Sequence, residues 1–172
     1  MPKNPMREVK LAKVVVHIGV GKSGEMLEKA RKILQEITGQ KPCTRQAKMT
    51  IKEFGIREGE PISCMTTLRG EKATTFMKRG LDAVGNTLKR SSFDGNGNFA
   101  FGIKEHIEIP GTKYVPELGI VGMDVIGTLE RPGFRIRRRR IRSSPIGKSH
   151  RVSKDDAITF MTGKFAVKIR EA

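Results

Sequence analysis

The hydrophobic period of this chain changes within a few residues. Lys13 to Ile18 reads KVVVHI, a β-branched run that suits a strand. From Ser23 onward Met26, Leu27, Ala30, Ile33, Leu34 and Ile37 fall on one helical face. Ser23 is placed to cap the start of that helix, and Gly39 suits its stop. A chain that switches period in this way, and does so repeatedly, must pack strands against helices.

The same switches continue downstream. Pro42 to Thr50 reads as extended, and so does Ile62 to Leu68. Between them Phe54 to Glu60 holds two glycines and three charges, so the pair predicts a long hairpin with a prominent tip. After Gly70 a second helix buries Ala73, Phe76, Met77, Leu81 and Val84 and stops at Gly85. The turn-rich Ser91 to Asn98 leads to a strand over Phe99 to Ile109, and Ile120 to Leu129 is another. Ser153, with Asp156 three residues later, predicts a capped third helix, and Phe165 to Ile169 a last short strand. The order β-α-β-β-α-β-β-α-β predicts an α+β fold: an antiparallel β-sheet with helices packed on one face, the other face left for a partner. No linker or repeat divides residues 1–172, which predicts a single domain with a basic insertion at 131–151, before the last helix.

Charge decides what that partner is. Lys and Arg number 34 against 18 Asp and Glu, a formal +16. Self-repulsion on that scale opposes compaction, so its use lies in a polyanionic partner. Nucleic acid is the first expectation and an anionic membrane surface the second. No stretch approaches the roughly 18 apolar residues of a membrane span, and the N-terminal residues have no apolar signal core. Cys43 and Cys64 lack C-x-x-C spacing and read as reduced, half-buried thiols of a cytosolic protein. With His17, His106 and His150 scattered, neither a metal site nor a cofactor is expected.

Gly21-Lys22-Ser23 looks like the end of a nucleotide-binding loop. That loop needs a glycine where Val16 stands, and without it the turn is too short to wrap a triphosphate. A nucleotide hydrolase is therefore a rival reading with little behind it. Gly21 to Gly24 also matches the G-x-x-G of an RNA clamp, but that clamp joins two helices rather than a strand and a helix. Two physical readings stay open here. Either the backbone N–H groups with Gly21, Lys22 and Ser23 hold an RNA phosphate, or Ser23 caps the helix and the glycines make the turn.

The run Arg131 to Arg142 holds seven arginines: Arg131, Arg135, Arg137, Arg138, Arg139, Arg140 and Arg142. Phe134, Ile136 and Ile141 interleave, and a helix follows, so this is not a bare solvated tail. Guanidinium groups suit bidentate phosphate contacts and stacking on bases, which points to RNA. Phe93, Phe99 and Phe101 read mainly as core, and the polar turn between them as a possible RNA contact. No local spacing assembles a nucleophile, a base and an orienting group, and Asp155-Asp156 suits a helix start, so no enzyme is expected.

Several blocks together resemble one family. They are Asn4 to Arg7, Val14 to Gly21, Thr38 to Pro42, Phe54 to Arg57, Thr67 to Gly70, Ser92 to Asn98 and Gly122 to Asp124, in the family's order. The chain resembles the fifth large-subunit ribosomal protein, which binds 5S rRNA in the central protuberance. The insertion looks like that of archaeal and eukaryotic members. The resemblance implies a cytoplasmic, ribosome-bound, non-enzymatic protein that links 5S rRNA to the large rRNA. It places the 5S contacts on His17, Gln40 and Thr67; many relatives carry Asn where this chain has His17. Lys41, Thr44, Arg45 and Arg69 join them as neighbouring donors on charge and polarity. The resemblance also implies that Phe54, Gly55, Ile56, Arg57, Glu58, Gly59 and Glu60 reach the tRNA in the peptidyl site. Further implied partners are a small-subunit head protein at an intersubunit bridge and neighbouring large-subunit proteins. A non-specific nucleic-acid-compacting protein is the binding rival.

Overall fold

The computed structural model describes residues 4–171. Its main sheet has five strands: β1 (Lys10–Gly19), β2 (Cys43–Gln46), β3 (Pro61–Leu68), β5 (Asn98–Ile103) and β6 (Met123–Glu130). They lie in the order β2-β3-β1-β6-β5, and every neighbouring pair is antiparallel. The Val-rich β1 is central because its inward side chains, Val14, Val16 and Ile18, are wholly removed from water. Each such side chain stabilises the fold by about 1.5–3 kcal/mol.

The helices α1 (Glu25–Thr38) and α2 (Gly70–Ala83) share one apolar cluster with those side chains. Helix α4 (Lys154–Phe165) adds Ala157, Met161 and Phe165 to it. The α+β architecture expected from the period switches is thus the one observed. Gly39 ends α1 in the left-handed conformation, with its N–H on the Gln35 carbonyl at 2.8 Å. The capping box of α4 forms in both directions between Ser153 and Asp156.

Several boundaries differ from the sequence expectation. Met26 points to solvent rather than into the core. Ser23 does not cap α1; Gly24 occupies that position with φ at 105°, and no side chain caps the helix. Only Cys43–Gln46 of the first hairpin limb is regular strand. β5 stops at Ile103 because the buried His106 turns the chain, with its N–H on the Val121 carbonyl. The last strand, β7 (Lys168–Arg170), starts later than expected, because Phe165 is kept in the helix to fill the core and Ala166 turns the chain at φ 53°. It pairs in parallel with an unanticipated strand, β4 (Thr87–Lys89), outside the main sheet. Three-residue strands are too short to show a period in sequence. A four-residue helix, α3 (Arg135–Arg138), also forms inside the basic insertion. Cys43 is exposed and Cys64 buried, rather than both being half-buried.

One glycine sets the sheet's packing. At Gly127 a Cβ would fall 2.2 Å from the Phe99 ring, so only glycine lets that ring lie against β6. No described helix is long and apolar enough to cross a membrane.

Candidate nucleic-acid interface

Side chains alternate across a strand, so the residues between the buried ones form the sheet's second face. The register aligns them into rows. One row runs from Cys43 through Met65, His17 and Asp124 to Gly102. The next holds Thr67, Val15, Ile126 and Ala100. The helices α1, α2 and α4 pack on the opposite side, and β1 is half-buried at Val15 and His17 while Val14 and Val16 are sealed.

His17 and Thr67 share this face on adjacent strands, as diagonal neighbours at about 7–8 Å. The His17 ring nitrogen Nδ1 sits 3.7 Å from Asp124 Oδ2. Arg45 joins them by its pairing with Ser63 and lies across Met65, donating Nε–H to the sulfur. Asp124 and Met65 escaped the sequence reading, although strand parity with His17 would have found both.

Gln40 and Lys41 approach from the sheet edge. The Thr38 hydroxyl donates to the Leu34 carbonyl at 2.6 Å and accepts the Gln40 N–H at 3.4 Å, fixing the turn out of α1. Two residues past Lys41, Cys43 pairs with Met65, so this turn lies beside the Thr67 end of β3. Arg69 stands exposed at the start of α2, next along the chain. Thr44 does not belong to the group by orientation. It pairs with the buried Cys64 and therefore points toward the helical side. Burial pushes the Cys64 thiol up to about 11, leaving it inert.

The turn at residues 21–23 is already supplied with an anion. The Ser23 hydroxyl donates to Glu60 Oε1, and Glu60 Oε2 accepts the Arg57 N–H at 3.2 Å. These bonds, the Ser23 hydroxyl first among them, hold the Glu60 carboxyl below the usual carboxylate range. The Gly21 N–H is spent on the Ile62 carbonyl at 2.9 Å. Of the expected phosphate contacts, the Gly21 N–H and the Ser23 hydroxyl are thus engaged, while the Lys22 side chain is exposed.

Glu60 also roots an arm. The Ala47 N–H donates to the Glu60 carbonyl at 2.8 Å, and Ile51 and Ile56 close the tip with two reciprocal backbone bonds. Gly55, in the left-handed conformation, makes the turn that leaves Phe54 68% exposed. Glu53, Phe54, Arg57 and Glu58 therefore stand on a braced projection, not on a slack loop.

The basic insertion folds back on the protein. Arg131 turns inward: its guanidinium donates to the Ser149 and Arg151 carbonyls and to Asp156 Oδ2 at 2.9 Å. It is an internal clamp, which removes it from the expected RNA-contacting set. Arg138 is paired with Glu130. The remaining five, Arg135, Arg137, Arg139, Arg140 and Arg142, are exposed, and none forms an ion pair among the described residues.

A hydrogen-bonding sheet face beside a cluster of exposed guanidiniums defines a class: an α+β protein that presents shape and positive charge to RNA. The comparisons with known proteins narrow it. The family model described as ribosomal protein L5 matches residues 4–57, and that of the ribosomal L5P family C-terminus matches residues 61–160. The large ribosomal subunit protein uL5 of Sulfurisphaera tokodaii is 56% identical over 169 residues, 98% of this chain and 96% of that one. Its namesake from Aeropyrum pernix is 52% identical, covering 96% of this chain and 86% of the other. That of Nitrosopumilus maritimus is 44% identical over 97% and 96%. The chain belongs to the ribosomal protein L5 family. It is thus a structural constituent of the large ribosomal subunit, in a non-enzymatic class, bound to rRNA on cytoplasmic ribosomes.

Proposed function

We propose that the protein holds 5S rRNA on its open sheet face and ties it to the large rRNA through the arginine insertion. The observation that carries this reading is the shared face of His17, Thr67 and Arg45, flanked by the Gln40-Lys41 turn. It offers donors and acceptors with little net charge, which suits recognition of a folded RNA's shape and sugars. Lys41, Arg69 and Lys22 rim it and supply phosphate contacts. The resemblance assigns the arm over Phe54 to Glu60 to the peptidyl-site tRNA, and implies a separate contact with a small-subunit head protein. Its bracing by Glu60 and the exposed Phe54 at its tip support the tRNA reading, because a probe must hold its shape to meet a moving partner.

A gel shift with the full chain at about 0.15 M salt tests the reading, with 5S rRNA, tRNA and duplex DNA as probes. At least a tenfold preference for 5S rRNA is expected. Equal affinity for 5S rRNA and tRNA overturns the specific claim. Equal affinity for duplex DNA returns the protein to non-specific compaction.

A further inference from the structure

A concavity lies where the insertion crosses the β5–β6 corner of the open face, with a volume of about 660 Å³. That falls within the ~300–1,000 Å³ of small-molecule sites. Its lining is divided by chemistry. Phe134, the buried Ile146 and Val152 give an apolar floor. Asn96, Asn98 and Thr128 give a hydrogen-bonding wall. The exposed Arg137 and Arg151 stand at the rim, and Glu130, its charge met by Arg138, completes the polar side.

The wall is rigid. Asp94 Oδ1 accepts the N–H of Asn96 at 2.9 Å and that of Asn98 at 2.7 Å. The Gly97 carbonyl accepts the Leu129 N–H, and a Cβ at Gly97 would fall 2.8 Å from Val152. Asn98 pairs across the strands with Thr128, so both present the same face. Asp94 Oδ2 only accepts, so the bond from Asn98 Nδ2 at 2.7 Å fixes the amide's orientation and leaves Oδ1 free. A free amide oxygen, the unengaged Asn96 amide and a hydroxyl favour a base edge that carries an amino group.

We propose that this corner takes a single unstacked RNA nucleotide, its base on the Phe134–Ile146 floor, its edge on Asn98, Asn96 and Thr128, and its phosphate at Arg137 and Arg151. RNA presents sequence mainly through bases splayed out of a helix in this way. The proposal rests on the RNA-binding reading above, because the corner continues the same open face. It adds base preference to a surface that otherwise reads shape: adenine over uracil, which lacks the amino group.

The test is a titration of the ¹⁵N-labelled full chain with AMP, UMP, inorganic phosphate and the trinucleotide rAAA, followed at the Asn96 and Asn98 side-chain amides. AMP should shift both amides saturably, with UMP at least fivefold weaker and phosphate without effect on Asn96. The double variant Asn96→Ala, Thr128→Val should weaken AMP about tenfold with its melting temperature unchanged. Flanking phosphates should make rAAA at least tenfold tighter than AMP; equal affinity would mean a free-nucleotide site and overturn the RNA assignment. Equal AMP and UMP affinity, phosphate alone shifting Asn96, or an unaffected variant each sinks the base pocket. A wild-type chain that keeps its 5S rRNA preference in the gel shift but shows no nucleotide shifts loses the pocket alone. Loss of that preference defeats the RNA-binding reading instead.

Discussion

The open sheet face and the arginine insertion meet at one corner but are built from opposite materials. The face is a pleated surface of small and hydrogen-bonding groups, with His17 opposite Asp124 and Thr67 opposite Val15. The insertion projects five guanidiniums, none in an ion pair among the described residues, from a short helix and its following loop. The face is fixed by strand register and has almost no freedom to adapt. The insertion is pinned at its root, where Arg131 clamps it to Asp156 and His150 bonds the Pro132 carbonyl at 2.8 Å. In the proposed function affinity and fit are thereby separated: counterion release is assigned to the insertion, discrimination to the sheet.

The largest expected effect falls on charge. Replacing Arg135, Arg137, Arg139, Arg140 and Arg142 by Gln should lower the slope of log affinity against log salt by about 3.5–4.5 for a phosphate contact at each, and weaken rRNA binding roughly 10³-fold at 0.15 M salt. Filter binding across a salt series reads this, and an unchanged slope would remove the insertion from the RNA. A smaller effect of opposite character is expected on the face. Gln40→Ala and Thr67→Ala should each cost about 1 kcal/mol of 5S rRNA affinity with the salt slope intact. A changed slope, or no loss, would erase the division of labour.

The smallest effect concerns the clamp. Burial opposes the charge on Asp156, but the Ser153 bonds and the Arg131 guanidinium prevail and hold its carboxyl below the ordinary 3.8. A depressed carboxylate contributes its stability above the unfolded value and loses it as pH falls through the folded one. The gap in melting temperature between the wild type and Asp156→Asn should therefore be steady from pH 7 down to about 4 and close below that. A gap independent of pH would mean that the clamp does not depend on the carboxylate's charge.

The long elements were legible because period and capping agree there. KVVVHI, the Leu27–Ile37 stripe and Ser153–Asp156 each send one message at two levels. The candidate site comes only from the resemblance, since nothing local distinguishes Gln40 or Thr67 from other polar residues. Long-range partners stayed hidden. Ser23 looks like a cap until Glu60 is brought to it across 37 residues of chain. Arg131 is one of seven alike arginines until Asp156 reaches it from α4. Such choices are made by tertiary contact, which periodicity does not report.

The central place of β1 also sets a timetable for folding. Its two neighbours lie far away along the chain, β3 at Pro61–Leu68 and β6 at Met123–Glu130. Until Glu130 is available, one edge of a valine-rich strand has no mate, and unpaired apolar edges invite association between chains. Closing so distant a pair is slow. A chain being made from its N-terminal end therefore carries this valine-rich strand short of at least one mate until residue 130 has been added, which leaves an apolar edge open to other chains through about three quarters of its synthesis.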